Sequence, residues 1–310
     1  MISIEDIIEI ANANGATDVH LSVSSPPKMR IKGELQDMKY PALDVHTCDQ
    51  IIKSAMNEAQ KETLDKCGNI EFSYNFENIG RCRIAAFKHM GNLAASLRIV
   101  NQRIPNTVEL RLPPEIINVY RQKSGLVLFA GNAGSGKSTV IASLIDLINE
   151  NRKVHILTLE EPVEYIHQNK AAVISQREIG SDVASLEEGL KVAAKEDADV
   201  VYFENFSTPE VMERAMELAE SGKLVISSVK TYGSIYVLER IIDSFPPDKR
   251  HQIRLILSNV LICIVSRKLT HIKDKDPLIN YEILDVNEEI RDAIAKDDKQ
   301  TIKSNIIYRG

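Results

Sequence analysis

Gly131-Asn132-Ala133-Gly134-Ser135-Gly136-Lys137-Ser138 reads in full as the phosphate-loop pattern G-x-x-x-x-G-K-[ST]. Ahead of it, Leu126 to Ala130 is a continuous apolar run that predicts a buried strand. Behind it, Thr139 to Ile148 carries the apolar spacing of an amphipathic helix. A strand feeding a glycine-rich loop into a helix places bound phosphate at a helix N-terminus, where free amide hydrogens and the helix dipole favour anions. The glycines let the backbone N–H groups turn inward, Lys137 supplies a point charge, and the Ser138 hydroxyl suits Mg²⁺. The expected binding residues are Gly131, Asn132, Ala133, Gly134, Ser135, Gly136, Lys137, Ser138 and Thr139, with Ser138 also a metal ligand.

Working outward, further strands are predicted at Val154 to Leu159, Val200 to Phe203 and Leu224 to Ser228. Helices are predicted at Ser185 to Lys195, Pro209 to Glu220 and Ser234 to Ile242. Strands alternating with helices imply βαβ units and a parallel sheet. Ligands of such sheets bind beyond the C-terminal ends of the strands. Two acidic sites stand there: Glu160, Glu161 and Glu164 after one strand, and Glu204 after another. By position Glu204 is a candidate Mg²⁺ ligand, and Glu160 or Glu164 can orient an attacking water. The segment from Lys249 onward reads as a helical and short-strand cap, and Lys249, Arg250, His251 and Arg254 as a solvated helix face.

The first hundred residues have a different texture. Ile4 to Ala13 has helical spacing. Asp18 to Ser22, Lys28 to Ile31, Ile70 to Phe76, Arg81 to Phe87 and Leu93 to Ile99 read as strands, with turns at Gly33, Asn78 to Gly80, and Gly91-Asn92. The stretch from Asn101 to Pro114 contains Pro105, Pro113 and Pro114, few long apolar runs and mixed charge, so it is the expected linker. The expected domains are 1–100, a linker at 101–114, and 115–310.

At 310 residues, the chain is about twice the rough 150 residues per domain, which agrees with that division. Its 14 Gly and 11 Pro are scattered, excluding collagen-like and low-complexity chains. A net charge of -6 argues against nucleic acid as the main partner, because counterion release needs clustered Lys and Arg. Cys48, Cys67, Cys82 and Cys263 lie too far apart for a C-x-x-C zinc or redox pair. No apolar run approaches the roughly 20 residues of a spanning helix. The start, Met1 to Asp6, lacks a basic, apolar leader. The expected address is the cytoplasm.

The order of these motifs resembles the secretion and pilus motor ATPases of the RecA-like superfamily, specifically the PilT family that retracts type IV pili. The resemblance rests on Ala16 to Ser22 with Pro27, Arg30 and Gly33; Arg81, Arg83, Phe87 and Arg98; the phosphate loop; Ile156 to Glu164; Gln176 to Gly180; and Arg240 to Pro246. It continues through Ser266, Leu269, Glu282-Ile283 and Ile290-Arg291. It implies an α/β fold: a RecA-like P-loop ATPase motor domain with a mainly parallel sheet, preceded by a small α+β (PAS-like) domain. ATP and Mg²⁺ are the implied cofactors. A hexameric ring is implied, with nucleotide between a motor domain and the N-terminal domain of its neighbour, and Arg81, Arg83 and Arg98 reaching the phosphates in trans. The implied partners are an inner-membrane platform protein of the pilus machine and another pilus ATPase. Membrane contact would come only through partners. The missing tetracysteine site and N-terminal extension favour the retraction branch over the assembly branch.

Several positions depart from the family pattern. Phe206 stands where the family has arginine, Glu161 replaces its aspartate, Lys223 and Lys230 replace two histidines, and Lys191 and Lys195 replace arginines. The pattern's longer C-terminal tail is shortened here. Lys230 can still meet a γ-phosphate as a compact cation. Loss of an arginine at 206 removes a cation outright, so a weakly hydrolysing regulatory subunit or paralogue is the alternative to a working motor.

Overall fold

The computed structural model describes residues 2–31, 33–76, 80–100, 103–270 and 278–310. Two units separate in it, Met1–Gln102 and Arg103–Gly310. Asn101 and Gln102 of the expected linker, and Asn78 and Ile79 of an expected turn, lie outside the described residues.

The first unit begins with α1 (Ile4–Ala13), which the sequence starts with a capping box. Ser3 Oγ accepts from the Asp6 amide at 3.0 Å and Asp6 accepts from the Ser3 amide at 3.3 Å. Strands β1 (Asp18–Leu21), β2 (Lys28–Ile31) and β3 (Glu34–Asp37) follow. Then come α2 (Val45–Ser54) and α3 (Glu58–Cys67), capped by Asp44 and Asn57, and β4 (Asn69–Phe76), β5 (Gly80–His89) and β6 (Asn92–Ile99). The six strands form an antiparallel sheet ordered β3-β2-β1-β6-β5-β4. Ile7, Ile8, Val19, Leu21, Ile52, Leu64, Ile84 and Leu97 lie in its core.

In the second unit, α4 (Pro114–Ile117) precedes β7 (Gly125–Ala130), α5 (Lys137–Asn151), β8 (His155–Glu160), β9 (Val173–Glu178) and α6 (Leu186–Ala193). The chain continues through β10 (Val200–Phe203), α7 (Pro209–Glu220), β11 (Leu224–Val229), α8 (Ser234–Asp243) and α9 (Arg250–Val260). It ends with β12 (Leu261–Thr270), β13 (Leu278–Asp285), α10 (Glu288–Lys296), α11 (Lys299–Ser304) and β14 (Ile307–Arg309). The sheet order is β14-β13-β12-β7-β11-β10-β8-β9, parallel from β12 to β9 and antiparallel at the β13 and β14 edge.

Strand β7 is buried on both faces, which is why its sequence is continuously apolar. Leu126, Leu128 and Ala130 face a core shared with α6 to α11, whereas Val127 and Phe129 face one shared with α5 and β13. The 15-residue α5 is pinned against that second core by Val140, Ile141, Leu144, Ile145 and Ile148, so its N-terminus is fixed at the C-terminal edge of β7.

One expectation needs correction. The segment after Lys249 is no cap: β12, ten residues long, pairs in parallel with β7. The stretch Ile256 to Val265 hid this, because its polar break at Ser258-Asn259 falls inside α9 while the junction with β12, Val260-Leu261, is apolar on both sides. β9 carries little strand signal in the sequence, since its alternation Val-Ile-Ser-Gln-Arg-Glu is diluted at a sheet edge. The basic run lies on a solvent-facing side of α9, as expected, and two of its arginines also carry ion pairs: Arg250 meets Asp243 at 2.8 Å and Arg254 meets Asp297 at 2.7 Å. Among the described residues, no helix is long and apolar enough to cross a membrane.

Candidate nucleotide site

At the end of β7 the chain turns at Gly131 and enters α5 through Gly136, whose φ is +80°. Glycine is required at both places. A Cβ on Gly131 would lie 2.4 Å from the Arg267 carbonyl oxygen, and one on Gly136 would lie 1.8 Å from an Arg267 guanidinium nitrogen. Lys137 Nζ donates to the carbonyls of Gly131 at 2.8 Å and Asn132 at 2.9 Å, curling the side chain back over its own loop.

The neighbouring strands end in register with β7: Val229 pairs with Ala130, Ser227 with Phe203, and Phe203 with Leu159. Their following residues therefore meet the phosphate loop at one edge. They enclose a cavity of about 360 Å³ lined by Gly134, Lys137, Ser138, Glu164, Glu204 and Lys230, among others. Ala133, Gly136, Thr139, Glu161, Asn205 and Ser228 complete its wall. Thr139 Oγ1 also shares a 2.8 Å hydrogen bond with Tyr165 Oη.

Electrostatics differ among the carboxylates. Burial, reinforced by Glu164 and Glu160, pushes Glu204 up to about 7. Tyr202 Oη donates to it at 3.2 Å. Burial also lowers the Lys137 ammonium, opposed by the negative charge of Glu204. Glu160 does not line the cavity: it is buried beneath, accepting from Thr158 Oγ1 at 2.6 Å and Gln176 Nε2 at 3.2 Å. Its burial raises its pKa, against those bonds. Glu161, one residue on, takes its place in the wall.

The divergent positions sort themselves by place. Lys230 is in the wall. Phe206 is buried in the core, its ring 6.2 Å from that of Phe203 and its amide donating to the Ser228 carbonyl at 3.0 Å. Lys223 precedes β11 at the other edge of the sheet, donating to the Ala198 carbonyl at 2.6 Å. On the first unit, Arg83 of β5 faces Arg98 of β6, and Arg81 lies two residues along the same face. Arg98 Nε donates to Asp18 at 3.0 Å, and Arg83 pairs with Glu71.

Sequence reasoning missed Arg267. The alternation of β12 puts it on the face of Cys263 and Val265, toward the phosphate loop, where Nη1 donates to the Ser135 carbonyl at 2.5 Å. The only local signal was an arginine inside a run of strand residues.

A parallel sheet with a phosphate loop at its centre, a buried helix behind that loop and acids at the adjacent strand ends define a P-loop nucleotide-binding ATPase. The family described as Type II/IV secretion system protein matches residues 1–305, and the chain belongs to it. It is 31% identical over 285 residues to a twitching motility protein of Neisseria gonorrhoeae, covering 92% of this chain and 76% of that one. It is 32% identical over 270 residues to the type IV pilus ATPase PilU of Pseudomonas aeruginosa, covering 87% and 71%. A crystal structure of the pilus retraction motor PilT with bound ADP superposes with a TM-score of 0.92 at 35% identity, covering 98% of this chain and 89% of that one.

Proposed function

We propose that this protein is an ATP-hydrolysing motor subunit that powers type IV pilus retraction. The observation that carries this reading is the convergence of Lys137, Ser138, Glu204 and Lys230 on one cavity at the N-terminus of α5. The α5 amides and Lys137 would hold the β- and γ-phosphates. Ser138 and Glu204 fit Mg²⁺, which favours hard oxygen ligands and one or two carboxylates beside phosphate oxygens. Bound there, Mg²⁺ would neutralise developing phosphate charge. Glu164 is the carboxylate of the acidic box best placed to orient water, with Glu160 holding the strand end from below through Thr158 and Gln176. Lys230 would face the γ-phosphate.

In a hexameric ring, Arg81, Arg83 and Arg98 of a neighbouring subunit would supply charge in trans. Arg98 and Arg83 would each have to exchange a carboxylate for phosphate. The proposed setting is cytoplasmic, peripheral at the membrane through a pilus platform protein, alone or with a second pilus ATPase. The regulatory reading loses support from Phe206 and Lys223, which lie outside the cavity. Steady-state phosphate release from Mg-ATP tests the proposal: it should be measurable and should vanish in Lys137→Ala and Glu204→Ala. Release that survives both substitutions, or tight ATP binding with no turnover in the assembled ring, contradicts it.

A further inference from the structure

Arg267 presents an unusual arrangement of charge. Its side chain is only 7% exposed, yet among the described residues no carboxylate lies within ion-pair distance of it. Its Nε has no hydrogen-bond partner, and the Tyr281 ring lies 5.8 Å from the guanidinium carbon. A buried cation without an anion is costly, and costs of that kind persist where an anion arrives in the working state. What Arg267 does touch is the phosphate loop. Nη1 donates to the Ser135 carbonyl, and the guanidinium fills the space that any side chain at Gly136 would need.

Peptide planarity gives this contact a direction. In a trans peptide unit the C=O of one residue and the N–H of the next point to opposite sides. Holding the Ser135 carbonyl back against Arg267 therefore aims the Gly136 N–H away from Arg267. Gly136 and Lys137 both line the cavity, so that opposite side is where a phosphate would sit. The same guanidinium adds positive charge behind the loop, and it is one of the charges that lower the Lys137 ammonium.

We propose that Arg267 is a positioning residue of the nucleotide site: it ties down the crown of the phosphate loop, and its charge, which meets no carboxylate among the described residues, is balanced by the polyphosphate of bound nucleotide. This rests on the nucleotide-binding reading above. Arg267→Met keeps the bulk of the side chain while removing charge and donors. Arg267→Lys keeps the charge, with one donor group in place of the fork. In the intact protein, ADP affinity measured by titration calorimetry should fall about 10- to 100-fold in Arg267→Met, the range for a lost hydrogen bond to a charged group, and recover in large part in Arg267→Lys. KM for ATP should rise by a similar factor, with kcat changed less.

A folded Arg267→Met protein that melts at a lower temperature but binds ADP like the unsubstituted protein overturns the proposal and leaves Arg267 a packing residue. If Arg267→Met does not fold, Arg267→Gln, which keeps a donor without charge, decides. ADP binding at least about fivefold weaker supports the proposal, and unchanged binding overturns it. Absence of ADP binding by the unsubstituted protein is a different result, since it removes the nucleotide reading itself.

Discussion

The arginine-bearing face of the N-terminal sheet and the cavity edge of the motor sheet both gather cations, but they balance them in opposite ways. On the first, Arg83 and Arg98 are paired with Glu71 and Asp18, and bonds from Thr17 and Arg98 hold the Asp18 carboxyl low despite its burial. On the second, Lys137 is satisfied by loop carbonyls and Arg267 by one, and among the described residues neither they nor Lys230 have an ion-pair partner. On the first surface Arg83 and Arg98 already have carboxylates in ion-pair contact. On the second, Lys137 and Lys230 share a wall with Glu161, Glu164 and Glu204 but pair with none of them, an arrangement that suits a polyphosphate carrying Mg²⁺.

The largest effect that could break this contrast is expected at Glu204. Glu204→Gln should lower ATP turnover about 10³-fold, because it takes the carboxylate charge from the proposed Mg²⁺ site and with it several kcal/mol of transition-state stabilisation, while leaving ADP bound. Its stability effect has a definite sign. Because the folded-state pKa is raised to about 7, the folded protein holds a proton that the unfolded chain releases above about 4.3. Glu204 thus contributes progressively less stability as pH rises between those values and none is regained above them. Without Mg²⁺ and nucleotide, Glu204→Gln should therefore gain on the order of 2 kcal/mol over the parent at pH 8, and little at pH 4, by denaturant unfolding. Equal stability at pH 8 would mean the carboxylate is well solvated.

Phe206 comes next. Phe206→Ala should cost about 3 kcal/mol of stability through the cavity it leaves beside Phe203, with little change in ADP affinity. Selective loss of ADP affinity at unchanged stability would move the residue from core to site. For the N-terminal sheet, Arg98→Ala should reduce turnover of the assembled protein, though less than Glu204→Gln does because Arg81 and Arg83 remain, whereas Asp18→Asn, which frees Arg98, should not reduce it. The reverse ranking would make the ion pair structural. The smallest effect belongs to Lys223→Met, about 1 kcal/mol of stability from one hydrogen bond and none on turnover.

Legibility in the sequence followed distance along the chain. The phosphate loop with its strand and helix was readable because glycine, lysine and apolar runs specify that unit within about twenty residues. The acids at 160–164 and 204 were readable because strand ends mark one edge of a parallel sheet. Arg267 was not, since its bond to Ser135 spans 132 positions and depends on β12 lying beside β7. Phe206 and Lys223 show a related limit of reading along the chain. Alignment with a family pattern gives a residue's place in order, while the turn after β10 and the start of β11 decide where its side chain goes.

The most direct test compares two lysines that differ only in where the fold puts them. ADP should be titrated into the unsubstituted protein, Lys137→Ala and Lys223→Ala, with all three shown to be folded. ADP is expected to bind the unsubstituted protein and Lys223→Ala alike, and not to bind Lys137→Ala measurably. Equal binding by Lys137→Ala and the unsubstituted protein, or loss of binding in Lys223→Ala alone, would contradict the placement of the nucleotide at the cavity edge of the motor sheet.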